Sequence, residues 1–191
     1  MMKLLSPLNY LRIEHEEKRW YDYKIPVIVG LIVMVVYYFN PNKIPLVGTS
    51  GLLVQVNGLL QVLIGFYIAA LAAVSTFSNA TIDEVMAGDA PTIVEKYRGT
   101  KLKVELTRRR FVCYLFGYLA LTSFILFCLG LVSILAGKSV SLTISTMTSP
   151  ELLWVFKTIF VGVYAVILIN VITTTLLGLY FLSVRFHQSS L

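Results

Sequence analysis

The fold of this chain is decided by residues 108–135, which read RRRFVCYLFGYLALTSFILFCLGLVSIL. Three arginines stop abruptly at Phe111, and no charged residue follows until Lys138. About 20 consecutive apolar residues are enough for a helix to cross the hydrocarbon core of a bilayer. The junction at Phe111 therefore marks a boundary between water and membrane, and residues 111–135 are predicted to form a transmembrane helix.

Three further stretches have the same character, and they predict membrane spans at residues 21–40, 52–77 and 152–182. The composition agrees, because 57% of the 191 residues are hydrophobic and 14% are charged, whereas soluble domains contain about 25% charged residues. A transmembrane β-barrel is not expected, since its strands would alternate in polarity over about ten residues each. The sequence thus predicts an all-α integral membrane protein with four transmembrane helices.

The basic residues orient these four spans. Thirteen of the 16 Lys and Arg residues lie on one side of the spans and three on the other. The positive-inside rule then predicts that both termini are cytoplasmic and that the protein lies in the inner (plasma) membrane. The remaining segments are a cytoplasmic N-terminal segment (1–20), two outer loops (41–51 and 136–151), a cytoplasmic loop (78–110) and a cytoplasmic tail (183–191).

The 78–110 loop is the largest soluble piece, and its length favours a functional role. Thr81 to Glu84 fit a capping box, which predicts a helix ended by Gly88. A second short helix is predicted from Asp89 to Tyr97, and charged and apolar residues alternate over 101–106. We expect this loop to bind a cytosolic protein partner. The side chains expected to contact that partner or the inner leaflet are Lys101, Lys103, Arg108, Arg109 and Arg110.

Three segments carry weaker signals. Ser6-Pro7 predicts the start of a short N-terminal helix, which either lies on the membrane surface or binds a partner. Polar and apolar residues alternate over 139–144, which predicts a strand or an extended loop. The fourth apolar stretch continues without a break over 152–186, a helical length of about 52 Å, so its end should project from the bilayer and need a protein neighbour.

Polar and small residues inside the spans form stripes. In the second span they recur every four residues, and the fourth span has a partial counterpart; the residues are Asn57, Gln61, Gly65, Ala69, Asn170 and Thr174. Such stripes are typical of helix packing and predict a homo-oligomer. The alternatives are a lining for an ion or water path, or a site for lipid or a small ligand. No Asp, Glu or Arg lies deep in any span, which argues against proton-coupled transport.

Motifs for chemistry are missing from the sequence. His15 and His187 lack neighbours at metal-ligand spacing, and no phosphate-binding glycine loop is present. We therefore expect no catalytic, metal or cofactor site and do not expect an enzyme. Direct nucleic-acid binding is not expected either, because acidic residues are mixed among the basic ones; membrane lipid is the expected partner of these charges.

The four spans, the chain length and the orientation together resemble the membrane subunit of Kiwa-type anti-phage defence systems. This resemblance implies a membrane sensor of phage attack that signals to a DNA-binding cytosolic partner. The residues themselves favour a small tetraspan subunit that oligomerises and recruits a cytosolic partner. The rival hypothesis is a pore-forming or channel-like effector, such as a holin-like or abortive-infection protein, lined by Asn57, Gln61 and Asn170.

Overall fold

The computed structural model describes residues 3–14, 16–40, 44–76, 82–85, 90–97, 100–147 and 150–183. Four of its helices are long and apolar enough to cross a membrane: Trp20–Phe39, Leu52–Thr76, Arg108–Gly137 and Glu151–Ser183. The prediction of an all-α protein with four membrane-spanning helices is therefore confirmed. Gly88, the predicted stop of the first loop helix, and the tail after Ser183 lie outside the described residues.

The helices follow one another in a simple order. The chain passes from α1 (Glu16–Arg19) through a π-helical turn (Trp20–Lys24) into α2 (Ile25–Phe39), and the turn and α2 together form the first span. The others are α3 (Leu52–Thr76), α4 (Arg108–Met147) and α5 (Pro150–Ser183). The most extensive packing is between α3 and α4 and between α2 and α5, and α4 also packs on α5.

Two glycines allow the close approach of α2 and α5. A Cβ on Gly30 would lie 2.3 Å from Val166 Cγ2 and 3.1 Å from the Val166 backbone. A Cβ on Gly162 would lie 2.8 Å from the sulfur of Met34. With no apolar driving force between helices in lipid, such small residues favour association because they let the backbones meet.

One end of the bundle carries a layer outside the four spans, and we call it the hairpin end. The layer contains the N-terminal segment (residues 3–14), whose residues Lys3–Arg12 form a 3₁₀ helix packed on α4. It also contains an antiparallel hairpin of β1 (Thr92–Tyr97) and β2 (Thr100–Glu105). Glu14 forms an isolated bridge to Thr92, so the N-terminal segment extends the hairpin by one residue.

The apolar residues at this end of α5 find their neighbour within the same chain. Phe181 is buried with its ring centroid 5.0 Å from that of Phe111 on α4. Tyr10, Ile93 and Leu106 belong to the same buried cluster. The N-terminal segment and the hairpin therefore cover the helix ends that the sequence left without a partner.

Three local predictions differ from the structure. Residues 92–97 form a strand instead of a short helix, because β-branched residues follow Pro91 and a partner strand is adjacent. Residues 138–147 continue α4, since a lone strand is unstable and extending an existing helix is easy. The helix predicted after Thr81 is not formed in its described part, because residues 83–84 form a bend and Val85 forms a bridge to Thr107.

Candidate functional site

The most unusual feature of the bundle is an ion pair buried where the first span begins. Lys18 Nζ lies 3.3 Å from Asp22 Oδ2, and the two side chains are 5% and 0% exposed. Ionised groups are costly to bury unless hydrogen bonds compensate them. An ionisable residue buried in a membrane bundle is therefore a candidate functional site by default.

Pro26 explains why the backbone is open at this point. Proline has no N–H, so the carbonyl of Asp22, four residues earlier, has no helical donor. The chain widens into the π-helical turn, which the N–H of Ile25 closes on the carbonyl of Trp20. Single π-turns of this kind occur often at functional sites.

Helix α5 supplies the donors that the proline removes. Asn170 Nδ2 donates to the carbonyl oxygen of Asp22 at 2.7 Å, and Thr173 Oγ1 lies 3.0 Å from the carbonyl oxygen of Tyr21. Tyr118 of α4 donates its hydroxyl to Asn170 Oδ1 at 2.6 Å, which orients the amide. The opened turn is thereby held by α4 and α5.

The carboxylate of Asp22 is only partly satisfied. Its Oδ1 accepts hydrogen bonds from Thr174 Oγ1 at 3.2 Å and from the Tyr10 hydroxyl at 3.4 Å. Its buried Oδ2 makes no well-aligned hydrogen bond among the described residues, and its contact there is the Lys18 ammonium at 3.3 Å. A buried carboxylate with one oxygen lacking a hydrogen bond is held less firmly than a fully paired one.

Lys18 ties the N-terminal segment to this site. Its Nζ donates to the carbonyl oxygens of Tyr10 at 2.6 Å and Ile13 at 3.3 Å, and it lies 4.1 Å from the centroid of the Tyr10 ring. The Ile13 carbonyl lies just past the end of the 3₁₀ helix, where backbone acceptors lack helical donors, and the Tyr10 carbonyl also accepts the Ile13 N–H at 3.1 Å. Lys18 therefore caps the N-terminal segment and pairs with the first span at once.

Burial shifts the pKa values of Lys18 and Tyr10, which both lie outside the first span. It lowers the pKa of Lys18 below its ordinary value of 10.5, an effect that Asp22 partly offsets. Burial and the nearby Asp22 raise the pKa of the Tyr10 hydroxyl, so this phenol stays protonated and remains a donor. The folded chain holds the Lys18 proton less tightly than the unfolded chain, so deprotonation at alkaline pH removes a cost of burial.

A second ion pair links the N-terminal segment to the hairpin on the surface. Lys103 Nζ lies 2.7 Å from Glu14 Oε2, and the hydrogen bond and charge of Lys103 lower the pKa of Glu14. Its stabilising contribution is present above the ordinary pKa of the carboxyl and is lost as the pH falls through the lowered pKa. Both side chains are exposed, so the contribution is small.

The predicted stripe residues lie in three different environments in the structure. Asn170 and Thr174 join the Asp22 cluster. Asn57 is buried between helices, where its Nδ2 donates to the Phe127 carbonyl at 3.4 Å and its Oδ1 accepts from Tyr164 at 3.5 Å. Gln61, Gly65 and Ala69 are exposed on the outer face of α3.

The predicted basic contacts also occupy distinct positions. Lys101 lies opposite Lys96 in the hairpin register, and Lys103 pairs with Glu14. Arg109 makes two hydrogen bonds to Asp83, at 2.6 and 3.1 Å, and a third to the Val74 carbonyl at 3.0 Å. Arg108 is buried and Arg110 is half-buried. The arginine triplet thus belongs to the packing of the hairpin end.

Sequence reasoning missed Lys18 and Asp22, because both stand among polar residues just before the apolar stretch. Two signals were available: the i, i+4 spacing of opposite charges and the proline four residues after Asp22. Neither signal predicts burial by itself. The side chains that bury the pair come from Tyr10, which lies 12 residues before Asp22, and from Asn170 and Thr174 on α5, which lie 148 and 152 residues after it.

The fold and the buried ion pair define a multi-pass membrane protein whose N-terminal segment is fastened to its transmembrane helices. No protein-family model matches this chain, and neither does a curated protein or a solved structure. Within the described residues, no group of three or more His, Cys, Asp or Glu side chains is placed to hold a metal ion.

Proposed function

We propose that this protein is an inner-membrane subunit that self-associates and passes a signal to a cytosolic protein. The observation that carries the proposal is the continuous contact from the bilayer to the hairpin end. Asp22 and Asn170 lie within spans, Lys18 connects them to the N-terminal segment, and Glu14 connects that segment to the hairpin. The resemblance to Kiwa-type membrane subunits makes phage attack on the membrane the proposed signal.

The proposed orientation places the hairpin end in the cytoplasm, as the distribution of basic residues favours. Alkaline phosphatase is active only outside the cytoplasm, so fusions after Asn42 and Ser145 should be active and fusions after Gly99 or Leu191 inactive. The measurement is enzyme activity normalised to fusion protein in membranes. Activity of the Gly99 fusion would reverse the orientation and remove the cytosolic partner.

The hairpin is the proposed docking surface for the partner. Val94 is exposed on it, and Lys103 is its partner across the two strands, on the same face of the hairpin. Changing Lys101 and Lys103 together to Glu should weaken recruitment about ten- to thirtyfold, since an exposed charge pair contributes at most about 1 kcal/mol. The measurement is quantitative mass spectrometry of the cytosolic proteins that co-purify with the parent and with the variant from native membranes.

The matched control for this change is Glu14→Gln, which breaks the ion pair to Lys103 and leaves the charges of the hairpin unchanged. Recruitment should be retained in that variant. An equal loss in Glu14→Gln would assign the effect to docking of the N-terminal segment, and undiminished recruitment by the double Glu variant would remove the hairpin as the docking surface.

Self-association is proposed through the exposed face of α3. Gln61 has an amide on this lipid-facing surface, about 14 Å along the helix from Leu52, and a lipid tail offers it no hydrogen bond. Gly58 and Gly65 flank it, and a Cβ on either would meet no atom of the chain within 4 Å. A second copy could approach closely here and pair the amides.

Gly65→Leu should abolish the oligomer while leaving the single chain folded, because the added side chain blocks the close approach of α3 to its copy. Native mass spectrometry in detergent measures the stoichiometry. Val163→Leu, at another exposed position in the membrane, is the control and should keep the oligomer. An unchanged assembly in Gly65→Leu would exclude this face as the contact between subunits.

The rival pore function depends on Asn57, Gln61 and Asn170 lining one path. In the single chain, Asn57 and Asn170 are buried in separate hydrogen-bonded groups and Gln61 faces outward. A pore would therefore have to form between copies, along the Gln61 face of α3. Expression without the partner separates the two proposals: a pore depolarises the membrane when triggered, and a signalling subunit alone does not.

A further inference from the structure

The buried ion pair connects parts of the chain that belong to different layers. Asp22 is held by α5 through Thr174 Oγ1 and Asn170 Nδ2. Lys18 is held by the N-terminal segment through the carbonyls of Tyr10 and Ile13. A movement of α5 relative to the first span would therefore reach the N-terminal segment through the contact between Lys18 and Asp22.

The same segment continues directly into the hairpin. The Glu14 amide donates to the Thr92 carbonyl at 3.0 Å, and the Thr92 amide donates back to the Glu14 carbonyl at 3.4 Å. On the other side, the Tyr10 ring stacks on Tyr118 of α4, with centroids 4.9 Å apart. Tyr118 in turn holds Asn170, so the path from α5 to the hairpin runs through packed and hydrogen-bonded groups without a gap.

The pair has the properties of a contact that can open. Asp22 Oδ2 lacks a hydrogen bond among the described residues, and the three donors of Lys18 are directed largely at carbonyls. The turn that carries Asp22 has already lost a helical hydrogen bond to Pro26, so its position depends on α5. A small displacement of α5 would take Asn170 and Thr174 away from Asp22 together.

We propose that the Lys18–Asp22 pair is a latch that couples the position of α5 in the membrane to the docking of the N-terminal segment on the hairpin. When α5 holds Asp22 in place, Lys18 caps the N-terminal segment and Glu14 stays on Thr92. When α5 shifts, the pair loosens and the segment leaves the hairpin. The latch would be the step by which the protein passes its signal, so its biological role rests on the proposed signalling function. Coupling between two sites is established by measuring one site while the other is changed.

The test removes a side-chain contact made by α5 and measures hydrogen exchange where the N-terminal segment pairs with the hairpin. Thr174→Val removes the hydroxyl that donates to Asp22 and nearly preserves the size of the side chain. The matched control is the neighbouring Thr175→Val, because Thr175 bonds to Tyr67 and to the Val171 carbonyl and not to Asp22. Hydrogen–deuterium exchange of the full-length protein in detergent then reports the amides of Glu14 and Thr92.

The latch predicts that exchange at Glu14 and Thr92 is about tenfold faster in Thr174→Val than in Thr175→Val, since local opening sets the exchange rate. Lys18→Met combined with Asp22→Leu should give the same increase, and Lys24→Met, an exposed lysine beside the same turn, should not. Equal exchange in Thr174→Val and Thr175→Val would overturn the latch.

The exchange measurement needs no partner protein. Faster exchange together with unchanged recruitment of the partner would keep the latch and reject the proposed docking on the hairpin. Unchanged exchange together with recruitment that depends on Lys101 and Lys103 would keep the proposed function and reject the latch.

Discussion

Asp22→Asn is expected to destabilise the protein by about 3–5 kcal/mol, the cost of leaving one charge of a buried pair without its partner. The substitution keeps the shape of the side chain, so the loss cannot come from a cavity. It leaves Lys18, which is 5% exposed, with a buried charge that is compensated only by two carbonyl dipoles and the Tyr10 ring. For a chain of this size the loss corresponds to a fall in Tm of about 6–20 °C.

The double variant Lys18→Met and Asp22→Leu should recover most of this stability. Replacing both members of a buried ion pair by apolar residues is often neutral, because neither charge then has to be desolvated. The recovery is expected to be incomplete, since the carbonyls of Tyr10 and Ile13 each lose the hydrogen bond from Lys18. The measurement is the unfolding temperature of three purified proteins, the parent, Asp22→Asn and the double variant, followed by loss of the monodisperse peak on heating. A single Asp22→Asn variant as stable as the parent would show that the pair contributes nothing.

Gly30→Ala is expected to cost about 1–3 kcal/mol, the usual cost of overpacking. The new methyl group would overlap Val166 Cγ2 and press on the Val166 backbone, which cannot move aside as a flexible side chain can. Alanine favours a helix by about 1 kcal/mol over glycine, so the observed loss is what remains after that gain. The contact between α2 and α5 should weaken as a result.

Two alanine variants calibrate this effect. Gly162→Ala should cost less, because its methyl group meets the sulfur and Cγ of Met34, which can rotate away, and meets the Met34 Cβ only at 3.2 Å. Gly117→Ala meets only the Pro7 ring, at the ordinary contact distance of 3.6 Å, and should be neutral or slightly stabilising. The expected order of unfolding temperatures is Gly117→Ala, then Gly162→Ala, then Gly30→Ala, and a Gly30→Ala protein as stable as Gly117→Ala would contradict the close crossing of α2 and α5.

The corrections to the local predictions share one cause. Asp89 and Pro91 predict a helix that continues through residues 92–97, but β2 lies beside these residues and pairs with them along their whole length. Residues 139–144 alternate as a strand would, and yet they extend α4. In both places the neighbouring strand or helix decides which secondary structure forms. A window of six residues carries no information about that neighbour.

The sequence alone determined the four spans of this protein. Hydropathy is a local property that adds up over about 20 residues, and in lipid the backbone must bond within its own helix. Only the tertiary structure decided which polar residues are buried together. Tyr10 reaches Asp22 across 12 positions and Asn170 reaches it across 148. The pattern within one helix gives the spacing of its polar side chains. The hydrogen-bond partners of those side chains come from whichever segment packs beside the helix.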